Sequence, residues 1–205
     1  MIEERGNIFL AGVGGQGILL ASEVIGEAFL RAGYDVKKSE VHGMAQRGGA
    51  VTTHLRFGPK VYSPLIEPGA ADLLIAFEKL EALRFIHYLK PDGIVVVNSQ
   101  EIPPAPVSAG QERYPDGIEA RLREVSPHVY LVDALAAALA LREVRAVNMV
   151  MAGAASHFLP LPEEAYADAL KARLPARVVE VNLQAYRAGW SLVAAPGDPP
   201  GGGPR

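Results

Sequence analysis

The sequence predicts an α/β fold: a Rossmann-like, mostly parallel sheet flanked by helices, with a helical C-terminal third. Three observations support this prediction. Short apolar runs alternate with helical patterns over the first 132 residues, which is typical of parallel βαβ units. A glycine-rich turn joins the first apolar run to the first helical segment. From residue 134 onward, apolar residues follow helical spacing almost continuously.

The first elements surround the glycine-rich turn. Residues 7–11 form a short apolar run bounded by glycine, which predicts a buried strand. Residues 18–32 follow, with their apolar side chains on one helical face and their charges away from it. A second strand is predicted over 34–39. The alternating, β-branched run over 50–57 predicts a third.

The middle of the chain continues the alternation of strand and helix. Residues 72–77 predict a buried strand, and residues 78–90 predict a helix that Pro91-Asp92-Gly93 ends. The run over 94–97 (IVVV) is the most strand-like in the chain. Residues 101–115 hold four prolines and therefore predict a surface excursion.

The rest of the chain is predicted to be mainly helical. One short helix is expected over 118–125 and one more strand over 128–132. Four helices then follow, over residues 134–142, 145–158, 162–174 and 178–190. We expect residues 1–195 to form a single domain. Residues 196–205 are rich in glycine and proline and predict a disordered tail.

Composition narrows the classes of function. The chain has 205 residues, of which 49% are hydrophobic, and a formal net charge of −3. It carries no cysteine, which excludes disulfides, thiolate zinc sites and cysteine-ligated iron–sulfur clusters on this chain. No apolar run reaches the roughly 18 residues of a membrane span. Acids rather than a basic segment precede the first strand. We expect a cytoplasmic protein that binds neither nucleic acid nor membrane.

The glycine turn is the first candidate binding site. A strand, the pattern G-x-G-x-x-G and a helix follow one another, which is the arrangement of dinucleotide-binding turns. Glycines permit positive φ and the close approach of an anion, which the free amides of the first helical turn stabilise. We therefore predict that an anion binds on Gly12, Gly14, Gly15, Gln16 and Gly17. The alternative is a tight turn that only packs the helix on the strand.

Two features disfavour an ordinary NAD site. Gln16 fills a position that is usually small or apolar, and no acid is cleanly placed about 20 residues on. A second candidate is the polar, glycine-rich stretch over 39–49, since loops at the carboxyl ends of strands share a crevice with the first glycine turn. The side chains predicted to face that crevice are Glu40, His42, Gln46 and Arg47. The alternative is a solvated loop in which Arg47 pairs with an acid such as Glu40.

Three motifs together resemble a known family. GVGGQG, KKSEVHGMAQRGGAVTTHLRFG and RAVNMVMAGA are similar to segments of the small subunits of indolepyruvate:ferredoxin oxidoreductases, within the gamma-subunit family of 2-oxoacid:acceptor oxidoreductases. The resemblance runs over residues 7–190. It implies a non-redox subunit beside a larger subunit that carries thiamine diphosphate, magnesium and 4Fe–4S clusters.

The resemblance also implies the activity of the complex. Such a complex oxidatively decarboxylates a 2-oxoacid, forms an acyl-CoA and reduces ferredoxin. Residues 12–17 and 40–49 of this chain would then shape the interface beside the active site or help bind CoA. The resemblance implies no catalytic residue and no metal site on this chain.

Two other functions stay open at this stage. The glycine turn in a βαβ unit is also compatible with a stand-alone nucleotide-binding dehydrogenase or regulatory domain. A purely structural dimerisation module, homodimeric when alone, is the other possibility. The segment 148–155 (NMVMAGAA) is compatible either with close helix packing in a core or with a surface that contacts a partner.

Overall fold

The computed structural model describes Ile2 and residues 4–42 and 49–193, and the structural statements below concern these residues. They form a six-stranded sheet in the order β2-β3-β1-β4-β5-β6. The four strands β1, β4, β5 and β6 run parallel to one another, whereas β3 is antiparallel to both of its neighbours, β1 and β2. The strands are β1 Gly6–Val13, β2 Asp35–His42, β3 Ala50–Gly58, β4 Ala71–Ala76, β5 Leu89–Asn98 and β6 Val129–Val132.

Helices cover both faces of the sheet. The larger core lies between the sheet and α1 together with α5 to α8, and the smaller core lies under α2 and α4. The predicted α/β class and helical C-terminal third are therefore confirmed. The helices are α1 Ile18–Arg31, α2 Lys79–Phe85, α3 Ala105–Ser108, α4 Ile118–Val125, α5 Ala134–Ala140, α6 Val147–Ser156, α7 Glu163–Arg173 and α8 Ala176–Val193.

The topology places a crevice at the carboxyl ends of β1 and β4. The helix that follows β1 and the helix that follows β4 lie on opposite faces of the sheet. Ligands of open α/β sheets bind where the connections diverge in this way. The two strand ends are tied directly, since the Phe77 N–H donates to the Ala11 carbonyl at 2.8 Å. The glycine turn therefore lies at the topological switch point.

Two predicted boundaries were wrong. β2 extends to His42, because its backbone pairs with β3 as far as Val51, so the polar stretch predicted as a loop from residue 39 begins later. The helix predicted to reach Lys90 ends at Phe85, and a 3₁₀ turn leads directly into β5. Pro91-Asp92-Gly93, predicted as a turn that ends a helix, lies instead within β5, where the pairing with β4 shifts register and Asp92 has a φ of 59°.

The small-residue segment of α6 packs in the core. Residues 148–156 are all buried. At the contact between α6 and α8, a Cβ added to Gly153 would lie 1.9 Å from the Tyr186 carbonyl oxygen. A Cβ added to Gly189 would lie 1.8 Å from the Val150 carbonyl oxygen. The two backbones therefore touch, which confirms close helix packing as the role of this segment.

The structure does not test two of the sequence predictions, the disordered tail and the domain boundary. The predicted tail, residues 196–205, lies outside the described residues, and the single-domain boundary at residue 195 stays a prediction. None of the described helices has both the length and the apolarity needed to cross a bilayer.

His54 is a titratable group inside the smaller core. Its ring packs edge-on against Phe9 at 4.8 Å between centroids and against Tyr88 at 5.5 Å. Its Nδ1 accepts the Ile66 N–H at 3.0 Å, which requires the unprotonated nitrogen. Burial lowers the pKa of His54 below its usual 6.5.

Because His54 is buried in its neutral form, we expect the protein to lose stability at acidic pH. Below pH 6.5 the unfolded chain binds a proton at His54 more readily than the folded chain does, so the free energy of unfolding decreases as the pH falls. Above that pH, the group contributes no pH dependence. A His54→Asn variant keeps an acceptor for the Ile66 N–H but does not titrate. We expect urea unfolding between pH 7.5 and 5 to show a shallower loss of stability in the variant; equal slopes would contradict the assignment.

Candidate functional site

The glycine turn begins α1 without a capping side chain. Gly15 and Gly17 have φ of 104° and 77°, a region that favours glycine. Gly17 is the N-cap of α1, and no described side chain bonds to the first turn of the helix. A Cβ added to Gly15 would meet no atom within 4 Å, whereas one added to Gly12 would lie 2.8 Å from the Phe77 Cβ. Packing therefore requires glycine at residue 12, and the turn is open to the outside at residue 15.

Gln16 explains the departure from the dinucleotide pattern. Its Oε1 accepts the Val13 N–H at 2.8 Å, and its Nε2 donates to the Phe77 carbonyl at 2.8 Å and to Gln100 Oε1 at 3.2 Å. Asn98 donates to the same Phe77 carbonyl at 3.1 Å. The amide of Gln16 thus closes the turn and ties it to the ends of β4 and β5. The turn is thereby held in place by side chains of this chain.

The open side of the turn lines a cavity of about 250 Å³. Its opposite wall consists of α5 and the 3₁₀ turn before α6. Arg145 lies in this 3₁₀ turn, is exposed, and has no carboxylate partner among the described residues. Glycine amides and a guanidinium on facing walls suit an anion such as a phosphate. The lining residues are Gly15, Gln16, Gly17, Gln100, Leu135, Val144, Arg145 and Val147.

Sequence reasoning missed Arg145. It opens the segment RAVNMVMAGA, whose resemblance and small apolar residues give the arginine no role of its own. The available signal was an arginine immediately before an apolar helix. That signal becomes meaningful only when α6 is known to begin beside the glycine turn, where Asn148 Nδ2 donates to the Gly17 carbonyl at 3.3 Å.

The end of β2, which leads into the second predicted segment, lies at the same edge of the sheet as the glycine turn, with β3 between β2 and β1. Val51 pairs with both Gly12 and His42, so the end of β2 lies about 9.5 Å from the turn by ordinary strand spacing. Glu40 belongs to β2 and is paired with Lys38, whose Nζ lies 2.6 Å from Glu40 Oε1. The side chain of His42 and the whole of Gln46 and Arg47 lie outside the described residues. Their place in the site stays a prediction.

A buried acidic pair lies behind the turn, at the start of α2. Glu78 and Glu81 are only 1% and 4% exposed. Burial raises the pKa of Glu81, an effect that the nearby Arg84 opposes and the Glu78 charge reinforces. Burial also raises the pKa of Tyr114, and its hydrogen bond to Glu78 adds to the increase.

No group of three or more His, Asp or Glu side chains is gathered at metal distance within the part of the chain that the structure describes. The sequence also has no cysteine to ligate an iron–sulfur cluster.

Comparison with known proteins places this fold in a family. The chain is 40% identical over 188 residues to the indolepyruvate oxidoreductase subunit IorB of Thermococcus kodakarensis, covering 89% of this chain and 93% of that one. It is 31% identical over 205 residues to the 2-oxoglutarate synthase subunit KorC of Methanothermobacter thermautotrophicus, covering 94% and 97%.

A solved structure shares the architecture. The 2-oxoglutarate:ferredoxin oxidoreductase from Magnetococcus marinus, solved with 2-oxoglutarate, coenzyme A and succinyl-CoA bound, superposes with a TM-score of 0.74 at 23% identity. The match covers 100% of this chain but 34% of that one, so the same fold occurs there within a longer polypeptide.

A family model described as pyruvate ferredoxin/flavodoxin oxidoreductase matches residues 7–192, which reach from β1 into α8. The match therefore includes the glycine turn, both walls of its cavity and the helical C-terminal third. This chain belongs to the pyruvate ferredoxin/flavodoxin oxidoreductase family.

Proposed function

We propose that this chain is the non-redox small subunit of a cytoplasmic, CoA-dependent indolepyruvate:ferredoxin oxidoreductase. The observation that carries the proposal is its similarity to the indolepyruvate oxidoreductase subunit over nearly the whole length of both chains. The lower identity to the 2-oxoglutarate synthase subunit favours an aryl-pyruvate over a dicarboxylic substrate.

The proposal assigns electron transfer to a second subunit. Without cysteine, this chain has no thiolate for an iron–sulfur cluster. We therefore propose a large partner that carries thiamine diphosphate, magnesium and 4Fe–4S clusters and that passes electrons to ferredoxin. The present chain would contribute binding groups and a wall of the composite site.

The cavity at the glycine turn is the proposed contact with CoA. Its volume of about 250 Å³ is below the roughly 300–1,000 Å³ of sites that enclose a drug-sized ligand. It suits one anionic part of CoA, a phosphate held by the amides at Gly15 and Gly17 and by Arg145. The rest of the ligand would then contact the large subunit, which makes the site composite.

Omission of the subunit tests the proposed function. The two chains are co-expressed, and indolepyruvate-dependent, CoA-dependent reduction of ferredoxin is compared with that of the large subunit alone. We expect co-purification and loss of nearly all turnover without the small chain. Equal turnover by the large subunit alone would overturn the proposal, and so would tight binding of NAD(H) by the small chain alone without any complex.

A substitution at Arg145 tests the contact with CoA. A charge-assisted hydrogen bond to phosphate is worth about 1.5–3 kcal/mol, so Arg145→Gln should raise the KM for CoA roughly tenfold or more. The KM for the 2-oxoacid should change little. Arg142→Gln is the matched control, because Arg142 is an exposed arginine three positions away that does not line the cavity. Equal KM values in the two variants would place CoA elsewhere.

A further inference from the structure

Residues 101–116, which we name the strap, are attached to the body near both ends by hydrogen bonds to the buried carboxylate of Glu78. Most of the strap is exposed, and Tyr114 is its contact with the smaller core. Glu78 Oε1 accepts the Ile102 N–H at 3.1 Å near the beginning of the strap, and it also accepts the Tyr114 hydroxyl near its end. A single oxygen atom therefore holds both ends of the strap.

The same carboxylate also fixes the first turn of α2. Glu78 Oε2 accepts the Glu81 N–H at 2.9 Å as the N-cap of the helix. The Tyr114 hydroxyl in turn accepts the Leu80 N–H at 3.1 Å. Glu78 is 1% exposed, so its carboxylate would be costly to leave without these donors.

The attachment reaches the glycine turn through Gln100, the residue that precedes the strap. The Lys79 N–H donates to the Gln100 carbonyl at 3.2 Å, which fixes its backbone beside Glu78. The Gln100 side chain then accepts from Gln16 at 3.2 Å and from Asn98 at 3.4 Å. Gln100 also lines the cavity. Hydrogen bonds, joined by short stretches of backbone, thus connect the buried acid to the closing amide of the turn.

We propose that Glu78 is a positioning residue for the glycine-turn cavity: by holding the strap, it keeps Gln100 against Gln16 and so keeps the turn in its binding conformation. This inference rests on the proposed function only for the identity of the ligand. The shape of the turn is a property of this chain and can be measured without CoA.

Tyr114→Phe is the informative variant, because it removes both hydrogen bonds of the Tyr114 hydroxyl, to Glu78 and from Leu80, and leaves the Glu78–Glu81 cap of α2 in place. In the purified two-subunit complex, we expect amide hydrogen exchange to become roughly fivefold faster in the strap and also in residues 14–20. The KM for CoA should rise by a similar factor while kcat changes little. Glu101→Gln is the control, since it breaks only the exposed ion pair of the strap with Lys79.

A double-mutant cycle separates positioning from general stability. Gln100→Ala should raise the KM for CoA roughly tenfold, and adding Tyr114→Phe should raise it no further, because both act on the same contact. A merely structural role for the strap would instead lower Tm additively and leave the KM and the exchange of residues 14–20 unchanged. That result would overturn the inference.

The two proposals fail in distinguishable ways. If exchange in residues 14–20 becomes faster, the positioning role is supported. If the KM for CoA is nevertheless unchanged in Tyr114→Phe, Gln100→Ala and Arg145→Gln, CoA does not bind in the cavity. Faster exchange in the strap alone would overturn the positioning role, whatever the effect of Arg145→Gln.

Discussion

Gly153→Ala is expected to lower the free energy of unfolding by about 3 kcal/mol or more. The added methyl carbon would lie 1.9 Å from the Tyr186 carbonyl oxygen, a backbone atom of α8 that no rotamer change can move. The two helices must separate, and the buried faces of α6 and α8 lose contact with each other. For a chain of this length, Tm should fall by about 10 °C in thermal unfolding followed by circular dichroism.

Gly26→Ala is the control for the same chemical change. Gly26 lies in the interior of α1, and an added Cβ would meet Leu55 and Val36 at 3.5 and 3.7 Å, which is ordinary contact. Alanine is favoured over glycine in a helix, so this variant should be stabilised by about 0.5–1 kcal/mol. A Gly153→Ala variant as stable as Gly26→Ala would show that α6 and α8 do not touch through their backbones. Gly189→Ala should behave like Gly153→Ala, because its Cβ would lie 1.8 Å from the Val150 carbonyl oxygen.

Local sequence patterns predict well the elements whose structure depends on residues nearby in the sequence. β1, the glycine turn and α1 follow one another in the sequence, and apolar spacing with punctuating glycines is sufficient to find them. The antiparallel direction of β3 has no such signal, because alternation with a period of two is the same in parallel and antiparallel strands. The length of β2 was underestimated for a related reason: its last residues pair with β3, and their own polarity resembles that of a loop.

The candidate site was predictable only in part. The glycines specify the turn, but Gln16 gains its role from Phe77 and Gln100, which lie 61 and 84 positions away in the sequence. Arg145 joins the site only because α6 packs beside α1. Residues 148–155 could have packed in the core or faced a partner. Gly189 of α8, which is distant in the sequence, decides this, because it lets α8 pack directly on their backbone.

Gly17→Ala is expected to cost about 2–4 kcal/mol, the sum of two effects. The left-handed backbone at Gly17, with φ of 77°, disfavours any side chain by roughly 1–2 kcal/mol. The new Cβ would also lie 2.7 Å from Asn148 Nδ2, the buried atom that donates to the Gly17 carbonyl. Either Asn148 or the first turn of α1 must move, so the amides that face the cavity also move.

Gly117→Ala carries the first effect alone, so its difference from Gly17→Ala measures the second. Gly117 is also the N-cap of a helix with left-handed dihedrals, φ of 68° and ψ of 23°, but an added Cβ there would meet nothing within 4 Å. It should therefore cost only about 1–2 kcal/mol in urea unfolding and leave the KM for CoA unchanged, whereas Gly17→Ala should raise it. In an Asn148→Ala background, the difference between the two glycine variants should shrink, because the clashing amide is absent. If Gly17→Ala and Gly117→Ala cost the same in both backgrounds, the turn is not held by α6. The anion site would then have to be explained by the turn alone.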